Sequence, residues 1–126
     1  MTKSDDPRLA QLTTICVSLP EGMRTDKGDH AVFTVRKKPF AYFLNDHHGD
    51  GIVSVSAKAL PGENTALAAA HPGRFYLPAY VGPRGWIALR LDRGKIDWNE
   101  VRELVTASYL QVAAKRLASL VEPDIR

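Results

Sequence analysis

One stretch, residues 85–120, limits the possible folds of this chain most, because it encodes a strand that leads into the longest helix. Ile87 and Leu89 alternate with Trp86 and Arg90, which is the two-residue period of a strand with one buried face. The strand is therefore predicted to have a core face and a second face that carries an aromatic and a basic side chain.

The helix that follows has a recognisable beginning and end. Asp97 followed by Glu100 fits a capping box, in which the two side chains satisfy free backbone amides. From Val101 to Leu120 apolar residues recur at the spacing of a helix that lies on a sheet, and Pro123 ends the pattern. We therefore expect one continuous helix between the Asp97 cap and Leu120.

The rest of the chain predicts two more helices and four more strands. Residues 21–29 are polar and contain glycine, so they are predicted to form a loop. The remaining predicted elements are a helix opened by Asp6-Pro7 and ended before Pro20, strands 31–35, 40–44 and 53–58, a short helix 64–70 capped by Asn64, and a strand 74–80 that Pro78 places at an edge or a bulge. The predicted order is α-β-β-β-α-β-β-α, with the five strands in an antiparallel sheet that is open on one side.

Length and composition are those of one soluble domain, residues 1–126. The chain has 126 residues, of which 44% are apolar and 25% charged, near the averages of globular proteins. No apolar run is long enough to span a membrane, and the N-terminus lacks the pattern of a signal peptide, so we expect a cytoplasmic protein. The single cysteine, Cys16, excludes an internal disulfide, and its helical spacing predicts a core position.

Several residues and their order along the chain resemble the MmcQ/YjbR family of small bacterial proteins. They are the strand Phe40-Ala41-Tyr42-Phe43, Lys58 at the end of the third strand, the segment from Tyr80 to Trp86 with Gly82 and Gly85, Asp97-Trp98, and Ser108-Tyr109 followed by Lys115. The resemblance implies a two-layer α+β fold related to secretion chaperones and to frataxin, with helices on one face of an antiparallel sheet. It also implies DNA binding through a double-wing arrangement of hairpins, and it supplies no catalytic motif.

The positive charge of the chain lies where such wings would need it. The net charge is only +3, but the excess is confined to two regions of turns and strands. The candidate residues for binding double-stranded DNA are Arg36, Lys37 and Lys38 at one hairpin, and Arg84, Arg90, Arg93 and Lys95 in and around the last strand. Basic residues near phosphates release counterions and provide affinity that is independent of base sequence. The alternative interpretation is that basic turns keep the domain soluble and protect sheet edges.

A second candidate surface is the non-core face of the last strand. Trp86 and Arg90 share this face, and Lys58 is predicted to lie beside them on the neighbouring strand. An aromatic ring on an open sheet could stack on bases, hold a peptide or bury a homodimer interface. The alternative is that Trp86 packs against a neighbouring side chain of its own chain, such as Arg90. The second functional hypothesis is therefore a protein-interaction module that uses this face.

Catalytic and metal chemistry are not predicted. His47 and His48 lie between Asp46 and Asp50, but adjacent side chains in extended chain diverge, so a solvated turn is the preferred interpretation. His71 follows the short helix with no nucleophile or carboxylate placed near it in sequence, which favours contact with free helix carbonyls. We expect no enzyme activity and no cofactor.

Overall fold

The computed structural model describes residues 6–46, 49–78 and 81–121. In chain order the elements are α1 (Pro7–Val17), β1 (Gly22–Lys27), β2 (His30–Val35), β3 (Lys38–Asn45), β4 (Val53–Lys58), α2 (Glu63–Ala70), β5 (Phe75–Tyr76), a 3₁₀ turn (Gly82–Arg84), β6 (Trp86–Arg90), α3 (Trp98–Val112) and α4 (Lys115–Ala118). The strands form one six-stranded sheet in the order β1-β2-β3-β4-β6-β5, and every neighbouring pair is antiparallel. The α+β class and the antiparallel sheet are confirmed.

The prediction of five strands was wrong because residues 22–27 form β1 rather than a loop. This strand pairs with β2 along its whole length, from Gly22 opposite Val35 to Lys27 opposite His30. It has no apolar face, and most of its residues are exposed. The sequence of β1 lacks the hydrophobic alternation that predicts a strand. Its pairing with β2 therefore determines its structure.

Two other elements differ from the prediction. The strand predicted for residues 74–80 is reduced to Phe75 and Tyr76, and its predicted end at Tyr80 lies outside the described residues. Asn64 is not a cap: Gly62 occupies the N-cap position of α2, and Asn64 lies inside the helix. There its Nδ2 donates to the carbonyl oxygen of Gly82 at 2.8 Å, which fixes α2 to the turn before β6.

The last helix is divided in two rather than continuous. Asp97 caps α3 as predicted, because its side chain accepts hydrogen bonds from the amides of Asn99 and Glu100. The Glu100 carboxylate does not complete the capping box, since it pairs with Arg74 at 2.7 Å. The helix ends at Val112, and the extended backbone of its C-cap Ala113 (φ −74, ψ 149) separates α3 from α4.

One face of the sheet packs against the helices and forms the core. Alternate residues of β2, β3, β4 and β6 point to this face and are buried, together with the inward residues of α1 and α3. Phe40 packs edge-on against Tyr109 of α3, with ring centroids 5.4 Å apart. Ser108 ties the same helix to the sheet, because its hydroxyl donates to the Phe40 carbonyl and accepts from the Lys58 amide. Cys16 is fully buried in this core, as predicted.

Candidate nucleic-acid interface

The strand register brings two separate basic segments to the same end of the sheet. The β2–β3 turn lies at the end where Val35 faces Lys38, and the same end carries Lys58 of β4 opposite Trp86 of β6. Arg84 immediately precedes β6 and therefore lies there too. Gln111, near the end of α3, donates to the Lys58 carbonyl at 2.9 Å, and Arg116 of α4 is close enough to Glu21 for its charge to lower the pKa of that carboxyl, so α4 also lies at this end. We name as the basic end the residues Arg36, Lys37, Lys38, Lys58, Arg84, Lys115 and Arg116.

The other predicted basic residues lie at the opposite end. Ser54, at the start of β4, faces Arg90 at the end of β6, and Arg93 and Lys95 follow in the β6–α3 loop. Carboxylates of the connecting loops accompany them there. We name as the acidic end the residues Asp26, Asp29, Asp46, Asp50, Asp92 and Asp97. The structure thus separates the predicted site residues into two groups instead of one surface.

The tip of the β2–β3 hairpin has an uncommon backbone conformation. Arg36 and Lys37 both have left-handed backbone angles, with φ of 48 and 68. Two consecutive left-handed residues form the tight turn whose twist matches that of the flanking strands. Glycine or asparagine usually occupies such positions, and each other residue there costs on the order of 1 kcal/mol. Arg36 and Lys37 thus occupy two positions whose backbone angles are unfavourable for long side chains.

Glu21 holds this turn from the neighbouring segment. The Arg36 guanidinium donates from Nε and Nη2 to the two Glu21 carboxylate oxygens at 3.2 and 3.1 Å. The Arg36 hydrogen bond lowers the pKa of Glu21 below its ordinary value, and the charge of Arg116 contributes in the same direction. One of the basic groups is thereby partly neutralised, and the Glu21 pairing orients the hairpin tip.

The other side chains of the basic end carry uncompensated charge. Lys37, Lys38 and Arg84 are exposed, and Lys58 is half-buried. None of these four residues pairs with a carboxylate among residues 6–46, 49–78 and 81–121. Arg90, in contrast, donates to both carboxylate oxygens of Asp92 at 2.9 and 3.0 Å. Arg93 and Lys95 at the acidic end are also exposed and make no ion pair with a described residue, but they share that end with six aspartates, so the net positive charge is concentrated at the basic end.

The second face of the sheet is closed at its centre. Trp86 is only 8% exposed, and its ring packs against Tyr42 with centroids 5.5 Å apart. These residues belong to β6 and β3, the two neighbours of β4, so their rings lean toward each other over that strand. Ser56, directly opposite Tyr42, is buried, and its hydroxyl has no hydrogen-bond partner among the described residues. The face that was predicted to be open is therefore closed around Trp86. Its ring packs against Tyr42 and not against Arg90.

Asp46 and Asp50, the carboxylates of the predicted histidine turn, accept hydrogen bonds from backbone amides. Asp46 accepts a hydrogen bond from the Gly51 amide at 2.6 Å, and Asp50 accepts one from the Ile52 amide at 2.9 Å. His47 and His48 lie outside the described residues. Within the described ranges no three histidine, cysteine or acidic side chains converge as a metal site. These aspartates therefore shape the β3–β4 turn.

Sequence reasoning missed three contributors to this surface. Lys115 and Arg116 were expected within a continuous helix, and the turn at Ala113 that redirects them contains neither glycine nor proline. Glu21 was assigned to a loop without a partner. A carboxylate next to a helix-ending proline is compatible with many pairings, so only the folded register identifies Arg36 as its partner.

The fold and the comparisons define the class of this protein. It is a small α+β protein whose antiparallel sheet carries helices on one face, and none of the helices in the described part is long and apolar enough to cross a membrane. The YjbR family model matches residues 17–111, and the chain belongs to the YjbR family.

A solved structure supports the same assignment. The chain is similar to the crystal structure of the Deinococcus radiodurans protein DR2400, which contains a DUF419 domain, with 25% sequence identity and a TM-score of 0.69. The similarity covers 88% of this chain and 85% of that one. No curated protein matches the sequence.

Proposed function

We propose that this YjbR-family protein binds double-stranded DNA in the cytoplasm through the charge of its basic end, without catalysing a reaction. The observation that carries the proposal is the common location of Lys37, Lys38, Lys58 and Arg84, which the strand order assembles from three separate segments. These side chains have no acidic partner in the part of the chain described here, so their charge is available to phosphates. Binding of this kind is independent of base sequence.

The size of the basic end suits a duplex. From the β2–β3 turn the surface crosses β3 and β4 to the start of β6, which is about 12 Å at ~4.8 Å per strand. This is similar to the ~12 Å width of the DNA major groove. The hairpin tip at Lys37 and the 3₁₀ turn at Arg84 can therefore contact phosphates on both sides of one groove.

Two further observations favour the basic end over the second sheet face. Trp86 is closed against Tyr42, so its ring is not free to stack on an unpaired base. Arg90, which shares that face, is paired with Asp92. Duplex DNA needs no stacking platform, because phosphate contacts supply its sequence-independent affinity.

The test is fluorescence anisotropy of a labelled duplex titrated with protein over a range of salt. The wild-type chain is compared with Lys37→Gln/Lys38→Gln, and with the matched control Arg93→Gln/Lys95→Gln, which removes the same charge at the opposite end. We expect binding that weakens with salt. In the variant Lys37→Gln/Lys38→Gln, the slope of log K against log salt should be smaller by about 0.9 for each lost phosphate contact.

The control separates local contacts from net charge. If Arg93→Gln/Lys95→Gln reduces the slope as much as the hairpin variant does, only net charge matters and the proposed interface is wrong. Absence of salt-dependent binding by the wild-type chain at about 50 mM salt, where phosphate contacts are strongest, would refute DNA binding itself.

A further inference from the structure

A groove between α2 and α3 is a separate feature of the helical face. Its volume is about 730 Å³. The groove follows α3 from Glu100 to Gln111, a length of about 16 Å at ~1.5 Å per residue. This is the length of three helical turns.

The floor of the groove is apolar. It is formed by side chains that the core leaves partly exposed, among them Leu67 of α2 and Leu104 and Leu110 of α3. Leu60, which also lines the groove, is 51% exposed. The groove therefore offers apolar area that this chain does not bury.

The rim of the groove is acidic. Glu63 of α2 and Glu103 of α3 are exposed and line it, and neither makes an ion pair with another residue that the structure describes. Glu100 also lines it, with its charge compensated by Arg74 at 2.7 Å. An acidic rim in a chain of net charge +3 favours a cationic occupant.

We propose that this groove binds an amphipathic helix of another protein, with an apolar stripe that enters the groove and Lys or Arg residues that pair with Glu63 and Glu103. Helices bind in such grooves through anchors at i, i+3, i+4 and i+7, and two to three turns supply that pattern. The groove length and the charge at its rim both match such a segment. The proposal concerns a protein partner and is independent of the DNA-binding proposal.

A second copy of the chain is a poorer fit. The buried apolar residues of α1 and α3 belong to the core of their own domain. Neither helix can present that stripe to a neighbour without unfolding. Because α2 lines the groove itself and α4 has only four residues, the occupant we propose is an amphipathic segment of another protein.

The test uses three synthetic helical peptides with a fluorescent label. One has leucines at i, i+3, i+4 and i+7 with flanking lysines, one has the same leucines with glutamates, and one has the leucine and lysine composition in scrambled order. We expect saturable binding of the first peptide only. The glutamate peptide tests the rim charge, and the scrambled peptide tests the stripe.

Variants locate the binding on the protein. Glu63→Gln/Glu103→Gln should weaken binding of the leucine-lysine peptide about tenfold, because two charge pairs are lost. Leu60→Ser should weaken it as well. The matched controls are Asp29→Asn, at an exposed turn of the acidic end, and Met23→Ser, at a residue that is 63% exposed on β1. Neither control should change the affinity.

Three results of the binding measurements would overturn the proposal. They are equal binding of the scrambled peptide, loss of affinity in the control variants to the same extent, and absence of binding by the leucine-lysine peptide. A dimer in light scattering that Leu60→Ser disperses would also overturn it, because the groove would then hold a second copy.

Discussion

Arg36 and Glu21 are joined by two hydrogen bonds of 3.2 and 3.1 Å, and both residues have left-handed backbone angles, with φ of 48 and 58. The pair connects the segment that follows α1 to the β2–β3 turn. Gly22, next in the chain, is required by close packing, because a Cβ there would collide with the carbonyl oxygen of Cys16. The hairpin tip of the basic end is thus positioned by the end of α1.

The first prediction concerns the charge that Glu21 neutralises. Glu21→Gln should free Arg36 for a phosphate contact and steepen the salt slope of duplex binding by up to about 0.9. The measurement is the anisotropy titration at several salt concentrations, with Asp29→Asn as the control that removes one negative charge at the acidic end. An unchanged slope in Glu21→Gln would show that Arg36 does not contact DNA.

The second prediction contrasts two buried serines. The Ser108 hydroxyl donates to the Phe40 carbonyl at 2.6 Å and accepts from the Lys58 amide at 2.9 Å. Ser108→Ala leaves both backbone groups without that partner and should lower the free energy of unfolding by about 2 to 3 kcal/mol. Ser56 is equally buried with no hydrogen-bond partner among the described residues, so Ser56→Ala should be neutral or stabilise by up to ~1 kcal/mol.

Urea denaturation of the two alanine variants measures the difference. Equal losses of stability in Ser108→Ala and Ser56→Ala would contradict the role given to the Ser108 bridge between α3 and the sheet.

The third prediction concerns acid stability. The Arg90 guanidinium lowers the pKa of Asp92. Because the pKa of the folded state is depressed, the ionised carboxyl stabilises the fold above the unfolded-state pKa of about 3.9, and this contribution is lost as pH falls through the folded-state pKa. Asp92→Asn should therefore cost about 0.5 to 1 kcal/mol at about pH 7, typical of a partly exposed pair, and less as the pH is lowered.

Urea unfolding at neutral and acidic pH tests this dependence. Asp29→Asn, in the exposed β1–β2 turn, is the matched control and should cost little at either pH. A loss in Asp92→Asn that is the same at both pH values would show that the ionised pair is not its cause.

The fourth prediction concerns the single thiol. Burial raises the pKa of Cys16, and its side chain is fully enclosed by the core. The native protein should react with a thiol reagent only through unfolded molecules, so the labelling rate should rise with denaturant in parallel with the unfolded fraction. Fast labelling of the native protein would contradict the packing of α1 against the sheet.

The sequence predicts those parts of the fold that local patterns encode. The strand at Trp86–Arg90, the core positions of Ile87 and Leu89, the Asp6 and Asp97 caps, and the core position of Cys16 follow from periodicity and capping chemistry. Strand β1 does not, because its polar residues become a strand only by pairing with β2. The break at Ala113 is also hidden, since alanine favours a helix and tertiary packing overrides that preference.

The candidate site, too, could be predicted from the sequence only in part. Residue types predicted which side chains could contact DNA, but not which of them lie together. The adjacency of β4 and β6 places Arg84 at the same end of the sheet as Lys37, whereas Arg93, close to Arg84 in sequence, lies at the other end. Long-range strand order decides this arrangement, and no local pattern specifies it.

The central claim is that DNA contacts the basic end and not the acidic end. The most direct measurement is the change in backbone amide NMR resonances when an unlabelled duplex is added to the isotope-labelled protein. We predict that the shifts concentrate at residues 36–38, 58 and 84–86 and diminish with added salt. Shifts concentrated at residues 90–97, or absent throughout the chain, would contradict the account.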